Sequence, residues 1–113
     1  MKISTENTGE VLVIHAEGRL DISTADGFEK ELIILIQQSG QRLLLDCEKL
    51  ECISSAGLRS LLLLAKEAKK KEKSLALSSL NESVKEVFRI SGFDTIIAVF
   101  PTFEEGVSFL MGK

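Results

Sequence analysis

Two adjacent hydroxyls, Ser54 and Ser55, lie in the segment whose residue types and spacing most suggest chemistry, Leu43 to Leu64. An apolar run, Leu43-Leu44-Leu45, ends at Asp46, and a short connection follows. The small residues Ser54-Ser55-Ala56-Gly57 then open an apolar-periodic stretch that reads as a helix. Small residues at a helix start let another backbone approach closely and leave the first-turn N–H groups exposed. That end carries a partial positive charge and tolerates a phosphate or a carboxylate. A serine there can accept a phosphoryl group, which adds about −1.5 to −2 charges at neutral pH. Docked against a partner, such a group must be desolvated and repels any carboxylate facing it. The plainer reading is that either serine is only an N-cap, satisfying first-turn N–H groups for about 1 kcal/mol. Residue chemistry taken alone favours the cap, and neighbouring serines can divide the two roles.

Other chemistries find little support. The lone His15 lies inside an apolar run and reads as a half-buried structural histidine; one histidine cannot build an HxH, HExxH or Cys/His metal set. No GxSxG elbow and no GxxxxGK[ST] phosphate loop occurs. Asp21, Asp46 and Glu48 offer carboxylates for acid–base work, but nothing in the sequence ties them to a pocket. An enzyme is therefore not expected, and no cofactor is called for. The chain has no Trp and no Tyr, which removes the usual stacking platforms for sugars and bases. The stretch Lys66 to Lys73 reads as a solvated helix end with cations near the negative end of the dipole, diluted by Glu67 and Glu72, in preference to a docking patch for an acidic partner.

The elements that must position these residues follow from hydrophobic periodicity. Val11 to Ala16 is a β-rich run closed by Glu17-Gly18, and Ile3 to Thr5 pairs beside it through an Asn7-Thr8-Gly9 turn. Leu43 to Leu45, Leu75 to Leu77 and Ile96 to Val99 are short and uniformly apolar, which suits strands buried on both faces. Between them lie helical stripes. The first is Phe28, Leu32, Leu35 and Ile36 after Ser23-Thr24, and the second is Leu58, Leu61, Leu62, Ala65 and Ala68. The third is Val84, Val87 and Phe88, ended by Ser91-Gly92, and the fourth is Phe103, Val107 and Leu110 behind a Thr102-to-Glu105 capping box. The alternation implies an α/β fold, with a mostly parallel mixed sheet of four to five strands and about four helices packed on it.

At 113 residues, with 44% hydrophobic and 27% charged, the composition is that of one globular domain over residues 1–113. A chain this long buries roughly two-thirds of its unfolded surface and needs no staple. Fourteen Lys and Arg against 17 Asp and Glu give a net charge of −3, which argues against direct DNA binding and against a membrane surface. No apolar run reaches the ~20 residues of a membrane span. Met1 to Asn7 has neither the apolar core nor the cleavage site of a signal peptide, so a cytoplasmic location is expected. Cys47 and Cys52 match no metal or redox spacing and are expected as buried thiols.

Ile53-Ser54-Ser55-Ala56-Gly57-Leu58-Arg59, preceded by Leu44-Leu45-Asp46 and Gly18-Arg19-Leu20-Asp21, resembles the bacterial anti-sigma factor antagonists, the stand-alone form of the STAS domain. The likeness extends through Phe88 to Phe93 and Phe100 to Glu105, so it covers nearly the whole chain. It implies a protein that, unmodified, binds an anti-sigma factor serine kinase and so frees the sigma factor. Phosphorylation at the start of the second helix then releases the partner, and a serine phosphatase resets the switch. The Ser-x-Gly-Leu stretch places the modified serine at Ser55, with Ser54 as the alternative where several relatives carry Asp. The resemblance also implies partner contacts from Asp21, Ser54, Ser55, Ala56, Gly57 and Arg59, with Asp21 touching the partner or positioning the serine; Asp21 as a plain helix cap stands beside this. It is compatible with a monomer or weak dimer. The alternative within the same likeness is a scaffold subunit of a signalling assembly, or a module binding a small nucleotide or lipid.

Overall fold

The ten residues Val11–Leu20 form the longest strand, β2, and the rest of the sheet is arranged along its two edges. The computed structural model describes residues 1–40 and 42–112. On one edge β1 (Lys2–Thr8) pairs antiparallel from Lys2↔Glu17 to Thr8↔Val11. The two residues between them include Gly9, whose φ of +61° suits the left-handed geometry of a two-residue hairpin turn. β1 therefore runs well beyond the Ile3 to Thr5 expected from sequence. On the other edge β3 (Arg42–Asp46) lies parallel to Val11–His15. Past the end of β3 a further parallel strand, β4 (Leu50–Ile53), pairs with Gly18, Arg19 and Leu20.

Beyond β3 come β5 (Ser74–Ser78) and β6 (Ala98–Phe100), both parallel. The order is β1-β2-β3-β5-β6, with β4 on β2. The mixed, mostly parallel sheet expected from sequence is present, with six strands among the described residues instead of four to five, because the connection after Asp46 contains β4. The last strand is also displaced toward the C-terminus. Ile96 and Ile97 close the 3-10 turn at Phe93–Thr95, their N–H groups donating to the Phe93 carbonyl, so pairing begins only at Ala98.

Helix α1 (Ala25–Gln38) leads from β2 to β3, α2 (Ser55–Lys70) from β4 to β5, and α3 (Glu82–Ser91) from β5 to β6; α4 (Phe103–Leu110) closes the chain. Phe28, Leu32 and Ile36 of α1, Leu61 and Leu64 of α2, and Val84 and Phe88 of α3 pack on Ile14, Leu43, Leu45 and Leu77 in one buried cluster. Leu110 of α4 joins Val11, Val13, Leu44 and Ala76 in a second. Successive strand residues point to opposite faces. Helices cover both faces, which is why Leu43, Leu44 and Leu45 are all at most 1% exposed.

Two helix ends carry punctuation expected from sequence, although Thr24 makes no side-chain cap bond for α1 and only the Thr102 half of the α4 capping box is formed among the described residues. Thr102 accepts from the Glu105 N–H at 3.1 Å, and Gly92 closes α3 with φ +77°. Because α1, α2 and α3 each start where a parallel strand ends, their N-termini gather at one end of the sheet, where α/β folds present their sites.

Candidate functional site

Ser54 is extended backbone at the end of β4, and its N–H donates to the Leu20 carbonyl at 2.9 Å. That bond sets the start of α2. The Ser54 Oγ then accepts from the Gly57 N–H at 3.4 Å and its carbonyl from the Leu58 N–H at 2.9 Å, so Ser54 is the N-cap. Ser55, the first helical residue, is exposed, and among the described residues no hydrogen bond engages its hydroxyl. The cap and the open hydroxyl expected of this pair thus fall on different serines.

Ala56 is half-buried and Gly57 is buried, packed where a side chain would meet Leu20 and Ile53. Arg59 is exposed four residues after Ser55, and therefore on the same helix face.

Asp21 follows the residue that Ser54 bonds, in the loop between β2 and α1. Its Oδ1 accepts from the Ser23 hydroxyl at 2.6 Å and the Ser23 N–H at 2.9 Å, and the Arg19 Nε lies 3.8 Å from its Oδ2. The Ser23 hydroxyl, then the Ser23 N–H, hold the carboxyl below the usual carboxylate range. The loop is pinned further by the Asp21 carbonyl, which accepts from the Thr24 and Ala25 N–H groups at 3.1 and 2.8 Å. The Thr24 hydroxyl donates to the Arg19 carbonyl at 2.7 Å and accepts from the Asp21 N–H at 3.0 Å. Thr24, the residue before α1, makes no side-chain cap hydrogen bond. Asp21 instead accepts the Ser23 N–H on its carboxylate and the Ala25 N–H on its carbonyl, so it caps the turn that leads into α1, the plain role considered from sequence. Among the described residues it bonds neither Ser54 nor Ser55. The fold brings Asp21 to the same end of the sheet as the serines without direct contact.

Asp46 and Glu48 belong elsewhere. The Asp46 Oδ2 lies 2.7 Å from His15 Nδ1, and the His15 Nε2 lies 2.7 Å from the Glu6 carboxylate, so one imidazole joins β1, β2 and β3. Burial lowers the imidazole pKa, but its hydrogen bonds to the Glu6 and Asp46 carboxylates, with their charge, outweigh it and the net shift is upward. The cleft beside them, of about 350 Å³, is lined by Lys2, Ser4, His15, Glu17, Asp46 and Glu48 among others, and Asp21 is not part of it. His15 is half-buried and hydrogen-bonded, as expected of a structural histidine.

Cys47 is fully buried and its thiol is pushed up by that burial, whereas Cys52 is only half-buried, contrary to expectation. It stands on the short strand β4, in the connection after Asp46 where the sequence predicts only a loop. Lys69 and Lys70 occupy the last turn of α2, and the Lys73 ammonium donates to the carbonyls of Ile36 and Ser39 at the end of α1, both consistent with a helix-end role. Among the described residues no group of three or more His, Cys, Asp or Glu is placed to hold a metal, and no helix is long and apolar enough to cross a membrane. Ile22 is also exposed at this end, and as a lone aliphatic in a loop it carries no periodic signal in the sequence.

Comparison with known proteins agrees with this architecture. The family model of the STAS domain matches residues 2–106. BtrV of Bordetella bronchiseptica, provisionally named an anti-sigma factor antagonist, is 36% identical over 101 residues, which span 89% of this chain and 84% of BtrV. A Thermotoga maritima protein, TM1081, whose crystal structure carries the same provisional name, superposes with a TM-score of 0.90 at 21% identity, covering 96% of this chain and 94% of that one. The anti-sigma factor antagonist SpoIIAA in its unphosphorylated form superposes with a TM-score of 0.80 at 23% identity, covering 99% and 98%. At these identities the two structures speak for the fold.

Proposed function

The chain belongs to the STAS domain family, and we propose that it is an anti-sigma factor antagonist switched by phosphorylation of Ser55. Its partner in this reading is an anti-sigma factor serine kinase. The unmodified protein binds that kinase and frees the sigma factor; the phosphorylated protein lets go, and a serine phosphatase restores it. The observation that carries the site is the division of labour at the start of α2. Ser54 is committed to the cap, and Ser55 presents an exposed hydroxyl at the positive end of a 16-residue helix. The likeness to BtrV supports the antagonist role.

A phosphate on Ser55 leaves the Ser54 cap intact and lies where the helix end favours negative charge, so the fold accepts it. A docked partner does not. Losing even ~3 kcal/mol of binding weakens a complex more than a hundredfold. The switch is therefore local, a change in the surface presented and not a rearrangement.

The test is phosphosite mapping after incubation with candidate anti-sigma factor kinases and ATP. Label is expected on Ser55 in the wild type and in Ser54→Ala, and none in Ser55→Ala. Undiminished labelling of Ser55→Ala moves the switch elsewhere, and no labelling by any anti-sigma kinase removes this reading.

A further inference from the structure

We propose that Ile22 is the apolar anchor of the partner surface, a side chain that enters an aliphatic-lined pocket on the anti-sigma partner beside the position of Ser55. The inference rests on the antagonist reading above and adds to it the residue and the chemistry of the contact. Ile22 is 86% exposed, more than any other large hydrophobic residue described; Ile90 follows at 72%. It packs against neither hydrophobic cluster, so folding draws nothing from its side chain.

Its backbone, in contrast, is held firmly. Ile22 is flanked by Asp21 and Ser23, which are bonded to each other twice, and Thr24 closes the loop onto both Arg19 and Asp21. An apolar tip held on a preorganised loop loses little freedom when it docks.

Location selects the partner surface. Ile22 lies two residues beyond Leu20 and Ser55 one residue beyond Ser54, and Leu20 and Ser54 share a backbone hydrogen bond. Chain geometry therefore keeps the two Cα atoms within about 17 Å, well inside one standard interface of ~800 Å² per partner. Exposed Arg59 lies on the Ser55 face of α2 and gives the same patch a cation for a partner carboxylate. A hydrophobic tip, a cation and an unengaged hydroxyl together fit a partner with an apolar pocket bordered by acidic groups, against which a phosphate on Ser55 is repelled.

The test uses the kinase that labels the wild-type protein, titrated calorimetrically without ATP so that no modification intervenes. Ile22→Ser is expected to bind at least about tenfold more weakly, the scale of losing one buried aliphatic side chain. Ile22→Val is expected within threefold of wild type. The control is Ile90→Ser, on the end of α3 that leads back toward the start of β6, expected to bind unchanged. Wild-type protein that fails to bind its kinase defeats the antagonist reading itself. If the wild type binds and Ile22→Ser stays within threefold, the anchor is wrong while that reading stands. Equal weakening by Ile90→Ser also overturns it, and an unchanged thermal midpoint for Ile22→Ser excludes loss of fold as the cause.

Discussion

Gly57 faces Leu20 with no room for a methyl group: a Cβ at position 57 would lie 2.7 Å from the Leu20 carbonyl oxygen and 2.8 Å from its Cγ, with Ile53 Cγ1 at 2.9 Å. The same carbonyl receives the Ser54 N–H, so the start of α2 is seated on the end of β2 by a hydrogen bond and a close packing contact together. Gly57→Ala is therefore expected to destabilise the protein by about 1–3 kcal/mol, the range for overpacking a tight site. Gly27, on the exposed side of α1 with nothing within 4 Å, gives the opposite sign. Gly27→Ala should stabilise by about 0.5–1 kcal/mol through helix propensity and chain entropy. Urea denaturation of both variants checks the pair; a harmless Gly57→Ala means the two elements are not packed as described.

The two serines should separate in stability as they do in geometry. Ser54→Ala removes the acceptor for the Gly57 N–H and is expected to cost about 1 kcal/mol. Ser55→Ala touches no hydrogen bond among the described residues and should stay within about 0.5 kcal/mol of wild type, the usual range for surface changes. Ser55→Asp should leave the thermal midpoint nearly unchanged or slightly raised, because a carboxylate in the first turn complements the helix dipole. Thermal melts of the three variants decide this, and a large loss from Ser55→Asp is incompatible with a local switch.

The imidazole that joins three strands has a stability signature in pH. Its folded pKa lies above the ordinary value of about 6.5. The protonated form is therefore favoured by folding, and its contribution is fully present below the unfolded pKa and lost as pH rises through the folded one. Wild type should exceed His15→Gln in stability most at about pH 6, with the gap narrowing toward pH 8. Chemical denaturation of both proteins across that window measures it; a gap that widens with pH contradicts the pairing with Glu6 and Asp46.

Ser78 is fully buried on β5, and its hydroxyl has no hydrogen-bond partner among the described residues. A hydroxyl stripped of water and left unpaired typically costs about 1–3 kcal/mol, so Ser78→Ala should be neutral to stabilising, against the usual destabilisation from truncating a core residue. A clear loss of stability in the same denaturation assay indicates a partner for that hydroxyl.

Much of this architecture was legible in the chain because it is set by near neighbours. The stripes of α1 to α4, the capped start of α4, the glycine end of α3 and the apolar runs of β3 and β5 each follow from a period of 3.6 or from a few adjacent residues. The alternation of those elements then leaves few topologies open. The pair Ser54-Ser55 at a helix start was legible in the same way.

What the sequence alone left open depended on residues far apart in the chain. Leu50-Glu51-Cys52-Ile53 has no strand pattern of its own and becomes β4 only because β2 runs past the end of β3 and offers a free edge, which also leaves Cys52 half exposed. His15 meets partners nine and 31 residues away, on strands whose register no local pattern specifies. Ser54 is the cap and Ser55 the open hydroxyl because the Leu20 carbonyl, 34 residues upstream, captures the Ser54 N–H and sets where the helix begins. Composition and periodicity report which residues prefer to be buried or helical, but edge pairing and the exposure of one particular hydroxyl are decided only when distant segments compete for the same backbone groups.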